Sequence, residues 1–314
     1  MSHARATLTM LLVTFLWSIA GVVTRHLEAA AAFEVTFWRS ASNAVALVFL
    51  LAWLQGPGAL WRGLRRGGAV LWASGLCWTV MFTAFMVALT MTTVAHVLIT
   101  MALAPLFTAL MARGWLEQRL PARTWWAIGI AGLGITGMFA NEVLNGRAQD
   151  LWGMAVALTV PVAGAAMWTL LQHHAGPRPA EQGGDAPADM STAILLGAVA
   201  SALLTLPLAW PLKASAHDIG LLAFLGVAQL AIPCVLAVKA GKVLKAPEAA
   251  LLGLLEVIMG VAWTWLGASE APSLPVLLGA HWSCWPWPAM RCWPCVLGAE
   301  VLMERCRRST LSAS

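Results

Sequence analysis

VAHVLITMALAPLFTALMARGWLEQRLPAR, residues 94–123, has an echo in APEAALLGLLEVIMGVAWTWLGASEAP, residues 246–272. Each is an apolar run of helix length with a break-prone centre, followed by an acidic residue and then a proline. Ala104-Pro105 precedes Glu117 by 13 residues, and Glu256-Val257 precedes Glu270 by 14. Two such stretches about half a chain apart point to an internal repeat.

Composition sets the class. Of 314 residues, 60% are hydrophobic and 11% charged, and the mean hydropathy is +0.77. Soluble domains run at about half apolar and about a quarter charged. Runs of about twenty apolar residues recur, the length that crosses about 30 Å of hydrocarbon. The fold class expected is all-α: a polytopic membrane protein. A membrane barrel would instead show short alternating segments. The net charge of +5 reads as a basic cytoplasmic face, with no nucleic-acid partner. Cys77 and Cys234 lie in apolar runs and the other four cysteines follow residue 283, so the main body implies no disulfide framework. Met1 to Arg5 is a thin basic start. No small-residue cleavage motif follows it, and a retained first helix is expected.

Ten segments follow along the chain, at about 7–24, 34–54, 69–89, 94–112, 124–140, 151–171, 191–211, 217–238, 248–267 and from near 273. Connections are short except 172–190, whose Pro, Gly and charge suit a solvated linker. With the N-terminus inside, the inner connections hold Arg62, Arg65, Arg66, Arg113, Arg119, Arg123, Arg178, Lys239, Lys242 and Lys245. The outer ones hold only Arg25, Arg147 and Lys213. That asymmetry fixes an orientation. Five helices per half is an odd number, so two such halves are inverted relative to one another.

LLVTFLWSIAGVVTR in the first helix, FEVTFWRSASNAVAL in the second, the proline-centred fourth helix ending WLEQRLP, and LLGLLEVIMGVAWTWLGASEAPSLPVLLG together resemble the drug/metabolite transporter superfamily, in its ten-helix EamA-type group. The resemblance covers about residues 7–279. It implies two inverted five-helix repeats, residues 1–141 and 142–279, with a cytoplasmic linker at 172–190. It implies a secondary active transporter of the inner (plasma) membrane that moves a small metabolite, amino acid or drug outward by alternating access. No nucleotide-binding G-x-x-x-x-G-K-[ST] motif is present, and no cofactor is expected. Expected partners are a small-molecule substrate and the lipid bilayer; proton coupling and a homodimer are left open.

Residues 280–314 depart from this pattern. HWSCWPWPAMRCWPC, residues 281–295, holds four Trp, three Cys and three Pro where the tenth helix should lie. Each proline inside a helix costs about 3 kcal/mol, and lipid offers no water to the freed groups. A neighbouring reading frame resolves the conflict. Trp and Cys codons begin TG, so the shifted frame reads Leu, Met or Val, and Trp-Pro junctions read Ala. The tail is read as the product of a single-base frameshift near codon 279 that garbles the tenth helix. His281, Cys284, Cys292 and Cys295 imitate a zinc site, and Cys292-Trp-Pro-Cys295 imitates a redox pair. The shifted frame accounts for all of them, so no metal is expected.

Ionisable residues inside a bilayer cost about 2.5–3.5 kcal/mol on insertion scales and face a partner or a cavity. Those in the spans are Glu34 and Arg39, His96, and Glu256. Gly253, Glu256 and Gly260 share one helix face, and Trp263 continues it. Glu256 is read as binding a cationic substrate group or a proton, or else as half of a buried ion pair. The family pattern often has Glu-Pro here; Glu256-Val257 lacks that break. Arg39, with Asn43 one turn on, suits an anionic substrate group, a pair with Glu256, or an interfacial position. Glu34, near the helix start, is read as interfacial. His96, aligned with Thr93 and Thr100, is read as a proton relay or as interfacial. Trp17 and Trp168 line a cavity by analogy with the resemblance, or anchor the interface. The substrate-site candidates are therefore Glu256, Arg39, Asn43, His96, Trp17 and Trp168.

Two other functions are weighed. A membrane-embedded lipid-modifying enzyme needs paired acids near a His, and Glu117, Glu142 and Asp150 do not assemble that at any recognisable spacing; no catalytic residue is assigned. A nonfunctional frameshifted family member is the other. Resequencing the gene across codons 270–314 should find the shifted frame; the frame as written here would contradict that expectation.

Overall fold

The computed structural model describes residues 1–115, 126, 129, 148–175, 190–244 and 246–268. The predicted fifth segment, the tenth, the 280–314 tail, most of the 172–190 linker, Glu117 and Glu270 lie outside the described residues. The described residues are helical, with no strand among them. Eight spans of 19 to 26 residues are long and apolar enough to cross a membrane.

The first span divides into α1 (His3–Ser18) and α2 (Ala20–Thr24), and the second is α3 (Ala32–Gln55). Helix α4 (Pro57–Arg66) is short and amphipathic, and α5 (Ala69–Met91) is the third span. The fourth divides into α6 (Val94–Met101) and α7 (Ala104–Trp115). Next come α8 (Ala148–Ala175) and α9 (Ser191–Ala209). The seventh span joins α10 (Ala216–Phe224), a π-helical segment (Leu225–Ala231) and α11 (Ile232–Gly241). The eighth is α12 (Ala246–Ala268). All eight fall where hydropathy places them. Helix α4 was not expected. It begins on Pro57 after Gly56, whose φ of 83° suits a residue without a Cβ. Exposed Trp61 stacks under the Arg65 guanidinium at 5.3 Å, a pairing suited to a membrane surface.

The distribution of residues is that of a protein in lipid. On α3, Thr36, Arg39, Ser40, Asn43 and Leu47 are buried on one helical face, while Val45, Val48, Phe49 and Trp53 face outward. On α9, Ser201 and Thr205 are buried while Leu203 and Leu204 are exposed. Polar groups turn inward because the surrounding hydrocarbon cannot hydrogen-bond them.

The two expected break points differ. The fourth span breaks at Ala102-Leu103, and Pro105 sits in the first turn of α7, where its missing N–H costs nothing. The second copy does not break, and α12 runs unbroken through Glu256, as the lack of a proline at 257 allows. The first span, read as one helix, breaks at Ile19. Ser18 Oγ donates back to the Phe15 carbonyl at 2.7 Å and accepts from Trp263 Nε1 at 3.1 Å.

Helix contacts follow a regular scheme. The first span packs on the eighth, and the fifth on the fourth. The first packs on the seventh, and the fifth on the third. The second packs on the seventh, and the sixth on the third. The second also meets the sixth, and the fourth meets the eighth. Exchanging spans one to four with spans five to eight maps each of these pairs onto another of them or onto itself.

The seventh span approaches α3 backbone to backbone at Gly226. A Cβ on Gly226 would lie 2.7 Å from the Arg39 carbonyl and 2.8 Å from the Asn43 amide nitrogen. Only glycine lets the π segment and α3 touch backbone to backbone there. Gly226→Ala should destabilise the protein by about 1–3 kcal/mol by overpacking, read as a lower melting temperature in detergent. Gly220→Ala, where a Cβ meets nothing within 4 Å, should leave melting unchanged or raise it. Equal behaviour of the two variants would refute this packing.

Candidate functional site

A buried cation sits at the α3–π contact. Arg39 is 2% exposed. Gln229 Oε1 accepts from its Nε at 3.2 Å and its Nη2 at 2.6 Å. Gln229 Nε2 donates to the Trp17 carbonyl at 3.2 Å, so the amide ties three spans together. The local sequence explains the π segment. Pro233 has no N–H to give the Gln229 carbonyl, and its ring would crowd that oxygen in an α-helix. The turn before it opens, and the Ile232 N–H reaches back five residues to Val227. π-Helical turns of this kind frequently mark functional sites.

Around this cation the polar valences are incompletely filled. The guanidinium lies over the Phe85 ring, 5.6 Å from its centroid. Arg39 Nη1 has no hydrogen-bond partner, and neither Oδ1 nor Nδ2 of fully buried Asn43 has one. Glu256 is also buried, and no ion pair within 4.0 Å joins it to Arg39 among the described residues. A Cβ on Gly253, on the Glu256 face, would meet nothing within 4 Å, whereas one on Gly260 would lie 2.5 Å from Leu98 Cδ1. The glycine face of α12 is open before Glu256 and closely packed after it.

The other candidates are placed differently. His96 is buried. Thr92 Oγ1 donates to Asp150 Oδ1 at 2.6 Å and lies 3.0 Å from His96 Nδ1. A hydroxyl has one hydrogen, so the imidazole Nδ1 is the donor in this chain. Arg25 donates to the Leu89 and Thr92 carbonyls beside it. This second polar cluster joins the α5–α6 turn to the start of α8. Trp168 is a core residue packed against Gly241. Trp17 contributes its carbonyl to Gln229.

Glu34 lies in the first turn of α3, beside the loop before α10. It is fully buried and accepts from the backbone N–H groups of Lys213, at 2.9 and 3.0 Å, and Ala214, at 2.7 Å. Asp218, which the sequence reading passed over, does the converse. It is fully buried and accepts from the N–H groups of Glu28, Ala29 and Ala30 at 2.8–3.0 Å. The acid that starts α3 holds the loop before α10, and the acid near the start of α10 holds the loop before α3. Each satisfies loop amides that would otherwise be buried unpaired.

Gln229 was also missed. Its signal was a lone amide in the apolar run 217–238, three residues after Gly226 and four before Pro233. Among the described residues no group of three or more His, Cys, Asp or Glu is arranged to hold a metal.

The model of the EamA-like transporter family matches residues 4–140. Thirteen solved chains match. One, titled only "Crystal structure of protein", is 19% identical, with 90% of this chain and 94% of that chain covered and a TM-score of 0.56; it is similar in fold. No curated protein matches.

The paired loop contacts carry a direct test. Glu34→Gln and Asp218→Asn each replace a two-oxygen acceptor by one oxygen, so each should lower the melting temperature in detergent, as charged acceptors make the stronger bonds. Wild-type melting in both variants would show that the carboxylates do not hold the loops.

Proposed function

We propose that this chain, whose residues 4–140 match the EamA-like transporter family, works as a secondary active transporter of the drug/metabolite transporter superfamily, exporting a small organic metabolite. The observation that carries this is the partly satisfied group of Arg39 and Asn43, held by Gln229 where α3 meets the π segment. A protein that needed these groups for packing alone would pair them. A carrier needs them open to a passing ligand, because binding must be reversible on both sides of the membrane. Arg39, Asn43 and Glu256 are the substrate-binding residues in this reading, with Gln229 positioning Arg39.

The span exchange seen in the contacts supports two repeats, four described spans in each, with the fifth of each half an expectation from the sequence. With an odd number of spans per half, the repeats are inverted. Inverted repeats rock about a site at their interface and expose it to each side in turn. The Lys and Arg asymmetry supports a cytoplasmic N-terminus and insertion in the inner (plasma) membrane. The outer side is then where Glu34 and Asp218 hold their loops. His96, in the Thr92–Asp150 chain, belongs to that outer end and not to the substrate cluster.

Liposomes carrying the purified full-length protein, loaded with a cell extract, should release a subset of its small molecules, identified by mass spectrometry. Glu256→Gln should reconstitute to the same level and release none of that subset. Full release by that variant would contradict the assignment of Glu256.

A further inference from the structure

We infer that α4 carries a site for the phosphate of one acidic phospholipid, made by Arg62 and Arg65 beside Trp61. The site is separate from the Arg39–Asn43 group and does not depend on the transport reading.

Helix α4 has two unlike faces. Leu60 is buried in the core, and a Cβ on Gly63, one turn on, would lie 3.4 Å from Thr192 Oγ1 at the start of α9. The opposite face holds Trp61, Arg62 and Arg65, all exposed. Packing on one side fixes which side chains point away from the bundle. Neighbouring residues set the depth of the helix. Trp53, in the last turn of α3, is 81% exposed, and Trp72, in the first turn of α5, is 59% exposed. Together with Trp61 they surround the connection between the second and third spans with outward-facing indoles. Exposed indoles at span ends belong to the headgroup level. An amphipathic helix at that level lies in the membrane plane, with its polar side chains among the headgroups.

The charge on that face is not met within the protein. Neither arginine makes an ion pair among the described residues, and the sequence has no Asp or Glu between Glu34 and Glu117. Trp61 covers one face of the Arg65 guanidinium, 5.3 Å from its ring centroid. That contact uses no N–H, so the in-plane donors of Arg65 stay free for an oxyanion. Arg62 lies three residues before Arg65, which brings both cations to neighbouring positions on the helix surface. Two guanidinium forks side by side match a phosphate, whose oxygens accept from both. A zwitterionic headgroup brings its own ammonium and offsets the attraction, whereas an acidic headgroup keeps it. The acyl chains hold a lipid phosphate at the depth of α4; a free phosphate has no such anchor.

The test uses the purified full-length protein in mixed micelles. Thermal unfolding is followed against phosphatidylglycerol and against phosphatidylcholine with the same acyl chains. Phosphatidylglycerol should half-saturate at a mole fraction about tenfold lower or less, since each basic residue near the surface is worth about fivefold. The double variant Arg62→Gln with Arg65→Gln should cut that preference to under about threefold. Without lipid it should melt as the wild type does, because both side chains are exposed and make no ion pair. Arg113→Gln removes another exposed cation, in the last turn of α7, and should keep the preference. If the double variant does not fold, wild type in about 0.5 M salt gives the same readout, since screening should also remove the preference. Equal response to the two lipids overturns the inference. So does a preference that Arg113→Gln abolishes as fully as the double variant, which would make it a property of a diffuse basic face. Inorganic phosphate that stabilises as well as phosphatidylglycerol at the same concentration overturns the lipid as the occupant.

Discussion

A guanidinium inside a membrane protein must be held, and here a single neutral oxygen holds it. Gln229 Oε1 takes two donors from Arg39, and the geometry that brings it there is costly to build. The seventh span must open into a π segment, Pro233 must follow it, and Gly226 must let two backbones touch. Gln229 then reaches the Trp17 carbonyl, beside the break between α1 and α2. Three spans are fixed by one amide. Because that amide carries no charge, the Arg39 charge is left without an ion-pair partner within 4.0 Å among the described residues, and Asn43 beside it has neither donor nor acceptor satisfied.

Elsewhere among the described residues most buried polar groups are satisfied, Trp78 Nε1 being an exception. Ser40, Ser201 and Thr83 form a hydroxyl chain between α3, α9 and α5. Most buried threonines return their hydroxyl to a carbonyl three or four residues earlier, as Thr79, Thr108 and Thr205 do. Two carboxylates hold loops at one end, and Asp150, Thr92 and His96 hold a turn. Against that background three unpartnered atoms stand together on one face of α3, Arg39 Nη1 and Asn43 Nδ2 and Oδ1, and the transport proposal rests on them.

The eight spans were legible because a lipid-exposed helix must be apolar for its whole length, and that signal survives in a single sequence. Arg39 with Asn43, and Glu256 between its glycines, were legible because ionisable residues in such spans are rare and helical spacing says which of them share a face. Gln229 was not: a neutral amide stands out less than a charge, and a π segment shifts the phase on which face assignments rest. The loop that Glu34 holds was not legible either, for a different reason. The partners of Glu34, Lys213 and Ala214, lie about 180 residues away in sequence, and no local pattern announces such a pairing. The break in the fourth span was visible in Pro105, and its absence in α12 follows from Val257.

The account's central claim is that the Arg39–Glu256 cluster lies in a compartment reached from each side of the membrane in turn. Gly253→Cys, in a background with the native cysteines replaced, places a thiol in the open space beside Glu256. Labelling by a membrane-impermeant thiol reagent, applied separately from each face of sealed vesicles, tests the claim directly. The account predicts modification from both faces, each at a fraction of the rate seen in unfolded protein. Modification from one face only, under every condition, or from neither, would contradict it.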